Sequence, residues 1–187
     1  MLRNLLNRTT AILLAGLILG VVLTLGAEQM DRFTSTDAFC TSCHAMSEYI
    51  VNSETYKASA HRTTNSGVRA SCADCHIPKG LVAATWTHAV AGARDLYGVF
   101  RYDYNDPKVW EERKSGLANA TRLWLRGNDS ATCRSCHEED AIKPQRKRGQ
   151  RQHEEAPKEG LTCIDCHYNL VHDPIEPTDA FLDSAGN

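Results

Sequence analysis

Every cysteine in this 187-residue chain lies in the pattern Cys-X-X-Cys-His, and the pattern occurs four times. The copies are Cys40, Cys43 and His44; Cys72, Cys75 and His76; Cys133, Cys136 and His137; Cys163, Cys166 and His167. Two thiols at this spacing can add to the two vinyl groups of a haem, and the histidine that follows is carried beneath the ring as a proximal iron ligand. The eight cysteines therefore imply four covalently attached haem c groups, numbered here in chain order. A disulfide framework, a zinc site or a redox Cys-X-X-Cys would leave unexplained why histidine follows the second cysteine in all four copies.

Each iron needs a second axial ligand or a reason to lack one, which directs attention to the other histidines: His61, His88, His153 and His172. An internal repeat organises two of them. His61 follows His44 by 17 residues and precedes Cys72 by 11; His153 follows His137 by 16 and precedes Cys163 by 10. The flanking text agrees, with DAFCTSCH against SATCRSCH and SCADCH against TCIDCH, so the haem-bearing part reads as a duplicated two-haem unit. His61 and His153 occupy equivalent positions and are candidate distal ligands. His172, five residues after His167, is a third; its counterpart region in the first half holds Lys79 instead of a histidine.

The first motif breaks the symmetry. Met46 follows His44 by two residues where the second half has Glu139, and a thioether sulfur is a competent axial ligand. Asp95 lies seven residues after His88, a spacing that puts both on one helix face.

The elements that must hold these groups read as helices joined by irregular segments. Leu81 to about Phe100 suits a helix, and Asp106 with Pro107 gives an N-cap and an N1 proline for a second helix reaching Arg126 and stopping at Gly127. Trp110, Leu117 and Trp124 form an apolar stripe on that helix, expected to pack on haem or on the other half. The basic run KPQRKRGQR between Lys143 and Arg151 reads first as a solvated loop and only secondarily as a docking patch.

From Thr9 to Ala27 the chain is uncharged and mostly apolar, and at ~1.5 Å per residue it approaches the ~30 Å hydrocarbon core of a bilayer. Arg3 and Arg8 precede it and Glu28 and Asp31 follow, which orients the N-terminus to the cytoplasm and the haems to the periplasm. A cleaved signal peptide is the competing reading, but Leu25 and Ala27 suit its cleavage positions poorly. Residues 1–28 are expected to form a cytoplasmic stub and transmembrane anchor. Residues 29–187 form the haem domain, with repeat halves at about 36–80 and 129–173 and a helical insert at about 81–128. The fold class is mainly α with much irregular structure, and the haems supply most of its apolar core. A formal charge of −2 gives no sign of a nucleic-acid binder.

The single apolar span, the paired motifs, CHAM at haem 1, GVRASCADCHIP at haem 2, NDSATCRSCH at haem 3 and TCIDCH with a downstream histidine together resemble the NapC/NirT family of tetrahaem quinol dehydrogenases, over essentially the whole chain. The resemblance implies oxidation of a membrane quinol and delivery of its electrons to a periplasmic redox enzyme or cytochrome, within a complex or homo-oligomer. It implies that Met46 is the axial ligand of haem 1 in place of His44, with the Asp95 carboxylate over the open face. His88 stands where NrfH-like members carry a basic quinol-binding side chain, and it could instead ligate haem 1. Pairing of ligands across the repeat would give His61 to haem 3 and His172 to haem 2. Haem 4 is left with Lys79, His153 or a partner's residue. Three other roles are weighed against this one: an electron-transfer subunit that never contacts quinone, a chain feeding electrons into the quinone pool, and a terminal reductase acting at a five-coordinate haem.

Overall fold

The computed structural model describes residues 2–183; Met1 and residues 184–187, the outer limits of the two expected segments, lie outside the described residues. Ten α-helices occur among the described residues: α1 (Leu2–Thr34), α2 (Asp37–Cys40), α3 (Glu54–Ala58), α4 (Cys72–His76), α5 (Leu81–Arg101), α6 (Pro107–Gly127), α7 (Ala131–Arg134), α8 (Lys147–Glu155), α9 (Cys163–Cys166) and α10 (Asp179–Asp183). A π-helical turn spans Met46–Val51, short 3₁₀ turns cover Glu139–Ala141 and Ala156–Glu159, and no strand is present among the described residues.

Helix α1 carries the expected apolar span. Its apolar side chains from Ile12 to Leu25 stand exposed, as they must if lipid is to cover them, and Asn7–Thr34 is long and apolar enough to cross a membrane. The helix continues six residues past the expected boundary at residue 28, carrying Asp31 and Thr34 beyond the apolar stretch. Helices α5 and α6 form where the sequence puts them. Asp106 caps α6 by accepting from Lys108 N at 2.9 Å, with Pro107 in the first turn, where its missing N–H costs nothing.

The four attachment motifs sit on the short helices α2, α4, α7 and α9 or just after them. Two of these starts share one device. Ser71 and Asp74 form a capping box at α4, and Thr162 and Asp165 form another at α9, so the aspartate inside SCADCH and TCIDCH closes the helix on which the cysteines stand.

Polar bridges then tie the motifs together. Asp37 Oδ1 accepts from Cys72 N at 2.8 Å and Asp37 Oδ2 from Arg62 Nη1 at 3.0 Å, joining the first motif to the second. These donors hold the Asp37 carboxyl below the usual range against the opposing effect of burial. In the second half Ser130, fully buried with φ +48°, accepts from Ile164 N at 3.2 Å and meets Thr162 Oγ1 at 3.0 Å.

The stripe on α6 meets the first half at one point. Trp110 stacks on Tyr49 at 4.8 Å, Leu117 is exposed, and the buried positions of α6 are Asn119 and Arg122. Their polar ends pin down the C-terminal tail. Arg122 donates to Asn169 Oδ1 at 3.0 Å and to the Ile175 carbonyl at 2.7 Å, while Asn119 Oδ1 accepts from Thr178 N at 3.1 Å. Arg126 pairs with Asp165 of α9, donates to the Phe181 carbonyl at 2.6 Å and lies over the Phe181 ring. The buried apolar residues described are only Tyr56, Ala84, Ile164 and Phe181, far too few to stabilise a chain of this length by apolar burial alone.

Candidate haem sites

Three of the four motif histidines face a second imidazole. The ring centroids of His137 and His61 are 6.0 Å apart, those of His76 and His172 6.1 Å, and those of His167 and His153 6.1 Å. Two metal–imidazole bonds of about 2 Å each, plus half the width of each ring, bring the centroids on opposite sides of one metal to about 6 Å. The donor set therefore fits a six-coordinate iron at each of these three pairs.

Burial adjusts the chemistry in the same direction. It lowers His76, and it lowers His172 to about 4 with help from the charge of His76. His167 is lowered by burial and then by His153 and His137. A neutral imidazole is the form that binds a metal, and His172 Nδ1 is buried without a hydrogen-bond partner. Two open grooves of ≈ 480 Å³ each lie beside these rings, one lined in part by Pro144, Gln152, His153 and His167, the other by Arg134, His137 and Glu139.

Two of the pairs cross the repeat, since His61 belongs to the first half and His137 to the second, and His172 to the second and His76 to the first. His153 instead meets His167 of its own half. Equivalent positions in the sequence thus have different partners in space. Lys79 is engaged elsewhere: its Nζ donates to Asp74 Oδ1 at 2.6 Å, and that contact, with two hydrogen bonds from Ser71, lowers Asp74 to about 2.

The first motif differs from the other three. His44 is exposed, and its ring neighbour is Tyr49 at 6.3 Å rather than a histidine. Met46 opens the π-helical turn, a rare conformation concentrated at functional sites. Cys40 Sγ reaches the Thr34 carbonyl at the end of α1, 3.9 Å away, so this motif begins where the anchor helix ends.

Helix α5 leans on that same end of α1. His88 Nδ1 lies 3.3 Å from Asp31 Oδ1, and both His88 nitrogens are buried without an aligned hydrogen bond. Asp31 is a site residue that the motifs did not reveal; the only signal was an acidic side chain just past the apolar span. Seven residues on from His88, Asp95 is open on one side, yet protein crowds its carboxyl enough for desolvation to raise its pKa, against the smaller lowering effects of Arg94 and His76.

The attachment cysteines lie next to one another in chain order. Cys40 and Cys72, Cys75 and Cys136, and Cys133 and Cys163 each lie within electrostatic reach of one another.

A sequence profile described as the NapC/NirT cytochrome c family, N-terminal region, matches residues 4–177. The chain belongs to this family. As a member of the NapC/NirT family it is similar to a protein of Nitrosomonas europaea named a probable tetraheme cytochrome c-type, 41% identical over 170 residues that cover 89% of this chain and 70% of the relative. It is 35% identical to the tetraheme c-type cytochrome CymA of Shewanella oneidensis over 87% of this chain and 89% of that protein. It is 33% identical to the denitrification system component NirT of Stutzerimonas stutzeri, over 86% and 80%. No solved structure matches. A c-type cytochrome of electron transport with one apolar N-terminal helix is what the family and the fold establish, and the tetraheme relatives imply four haem c groups.

Proposed function

We propose that this NapC/NirT-family chain is a membrane-anchored quinol dehydrogenase subunit, taking electrons from a membrane quinol at its first haem site and passing them to a periplasmic redox partner. The observation that carries the proposal is the asymmetry of the four motifs. Three have an imidazole opposite the proximal histidine, whereas the first has none, begins at the end of the apolar span and stands where His88 of α5 meets Asp31 of α1, with Asp95 two turns further along the same face of α5.

In this reading the eight cysteines would hold haem c as thioethers, and the pairs His137 with His61, His76 with His172 and His167 with His153 would hold the irons of haems 3, 2 and 4. Met46 serves haem 1 in place of the exposed His44, and Lys79 stays with Asp74. Haem c, when bound, supplies one-electron redox chemistry, which a two-electron quinol uses twice.

The polypeptide's own task at that site is to orient the quinol and remove two protons. The Asp95 carboxylate is one acceptor; burial raises its pKa and so makes it a better base. His88 Nε2, buried and unpartnered, is the other, with Asp31 beside Nδ1 to hold the ring and stabilise the charge it gains. The succession Cys40 beside Cys72, Cys75 beside Cys136 and Cys133 beside Cys163 would hold the four haems as neighbours in chain order, the last at the motif of His167 beside α8.

The direct test is reduction of the purified full-length protein by menaquinol and ubiquinol analogues. Rapid reduction of all four haems is expected. Full reduction by dithionite with none by either quinol would overturn the reading and favour a subunit that receives electrons from another protein.

A further inference from the structure

We propose that α5 has a second role as an interfacial membrane helix, with the outward stripe Val82, Trp86, Val90, Tyr97 and Phe100 set into the lipid headgroup and upper acyl region beside α1. The proposal rests on α1 being the membrane anchor.

The stripe is real and unpartnered in the chain. Its five residues recur at intervals of four, four, seven and three, which at about 100° per residue is one helical face. Val82 is 84% exposed, Trp86 70%, Tyr97 67% and Phe100 83%. Ala89 and Ala93 fill the same face, and the charged side chains nearest to it, Arg94 and Arg101, lie together along one flank. Aromatic and aliphatic residues on one side with arginine at the edge is the composition of a helix lying at a bilayer surface.

Depth fixes the occupant. The apolar span ends at Ala27, and Asp31 lies four residues beyond it, about 6 Å further along the axis, which is within the headgroup layer of about 5–8 Å. His88 touches Asp31, so α5 is held at that depth. The shielded side of α1, at Ala27, Glu28, Asp31 and Thr34, starts at the edge of the span itself, so α5 meets α1 where the apolar stretch ends.

Haem does not account for the stripe. The first motif is tied to α4 by Cys72 N donating to Asp37 Oδ1 at 2.8 Å, and Asp95 lies within electrostatic reach of His76 of α4, so the side of α5 that faces the motifs is the side of His88 and Asp95. That side lies roughly opposite the stripe on the helical wheel. With the stripe in lipid, His88 and Asp95 stand at the level where a quinol headgroup leaves the acyl region.

All eight native cysteines are consumed as thioethers in the mature protein, so one introduced cysteine takes a nitroxide label alone. The full-length protein in phospholipid nanodiscs would carry the label at Ala93→Cys or Val82→Cys, with Leu17→Cys in the span and Glu112→Cys on α6 as references. The measurement compares collision with oxygen, which concentrates in lipid, and with a water-soluble nickel chelate. Both stripe labels should show an oxygen-to-nickel ratio several-fold above the Glu112→Cys reference. Ratios equal to that reference would overturn the proposal. So would labels shut off from both reagents in nanodiscs and in detergent alike, since protein or haem would then cover the face. If Leu17→Cys itself reads as aqueous, the anchor reading fails; if it reads as lipid while both stripe labels do not, the interfacial role alone is wrong. Neither result depends on quinol turnover.

Discussion

At the scale of single residues the decisive groups are those whose surroundings set a protonation state or a ligand geometry. Burial raises Asp95, so the ionised form that accepts a proton is lost on acidification at a higher pH than for an ordinary carboxylate. Quinol oxidation should therefore fall as pH drops through that raised value and be flat above it. Asp95→Asn should cut the rate by about 10²-fold or more and remove that acidic limb, with all four haems still attached. The fold does not need this charge, because a raised carboxylate costs stability at neutral pH and the asparagine lacks that cost. Wild-type turnover in Asp95→Asn would end the assignment. The ligand pairs make a separate prediction. His172→Ala, His61→Ala and His153→Ala should each turn one low-spin haem high-spin by electron paramagnetic resonance, whereas Lys79→Ala should leave every haem unchanged. His88→Ala should slow quinol oxidation without a new high-spin signal; such a signal would make His88 an iron ligand.

Among elements, the short helices that carry the motifs are too brief to be stable alone and depend on polar bridges between them. Asp37 and Ser130 fall at equivalent places in DAFC and SATC, and each accepts a backbone N–H from the next motif helix of its own half, Cys72 N for Asp37 and Ile164 N for Ser130. Removing either acceptor leaves a shielded donor unsatisfied. Asp37→Ala and Ser130→Ala should each lower stability by about 1–3 kcal/mol in denaturant titration of the haem-loaded protein, with Asp37 the larger loss because Arg62 loses its ion pair too. The repeat that aligns these two residues was visible in the text, as were α5, α6 and the cap at Asp106, because periodicity and capping are local signals. The exchange of ligands was implied only by the family resemblance, not by any local pattern. His61 and His153 match in sequence, yet one crosses to the other half and the other does not, and no local pattern records which half a loop folds over. Asn119 and Arg122 were hidden for a related reason: polar residues on α6 read as solvent-facing until the C-terminal tail supplies Asn169, Ile175 and Thr178 as partners.

For the whole molecule the two ends have opposite demands. In the proposed role one end must stay in the membrane with the quinol, and the other must meet a soluble partner and release it between turnovers, which favours electrostatic steering over a large apolar contact. The far end has the means. Lys143, Arg146, Lys147, Arg148 and Arg151 lie on and before α8, all exposed, on a chain whose formal charge is −2, so the basic cluster stands against the sign of the rest. His153 on the same helix faces His167, which places this cluster beside the fourth motif. A partner with an acidic surface would be drawn to that motif in particular. Charges exposed in this way are screened over about 8 Å at physiological ionic strength, so their contribution must shrink as salt rises. Arg148→Glu combined with Arg151→Glu should lower the second-order rate of electron delivery to the partner by about tenfold at low salt, and by much less at high salt. Reduction of the same variant by quinol should match the wild type, because that step takes place at the other end. Stopped-flow measurement of both half-reactions across a salt series separates the two. An unchanged delivery rate at low salt would mean that electrons leave by another face.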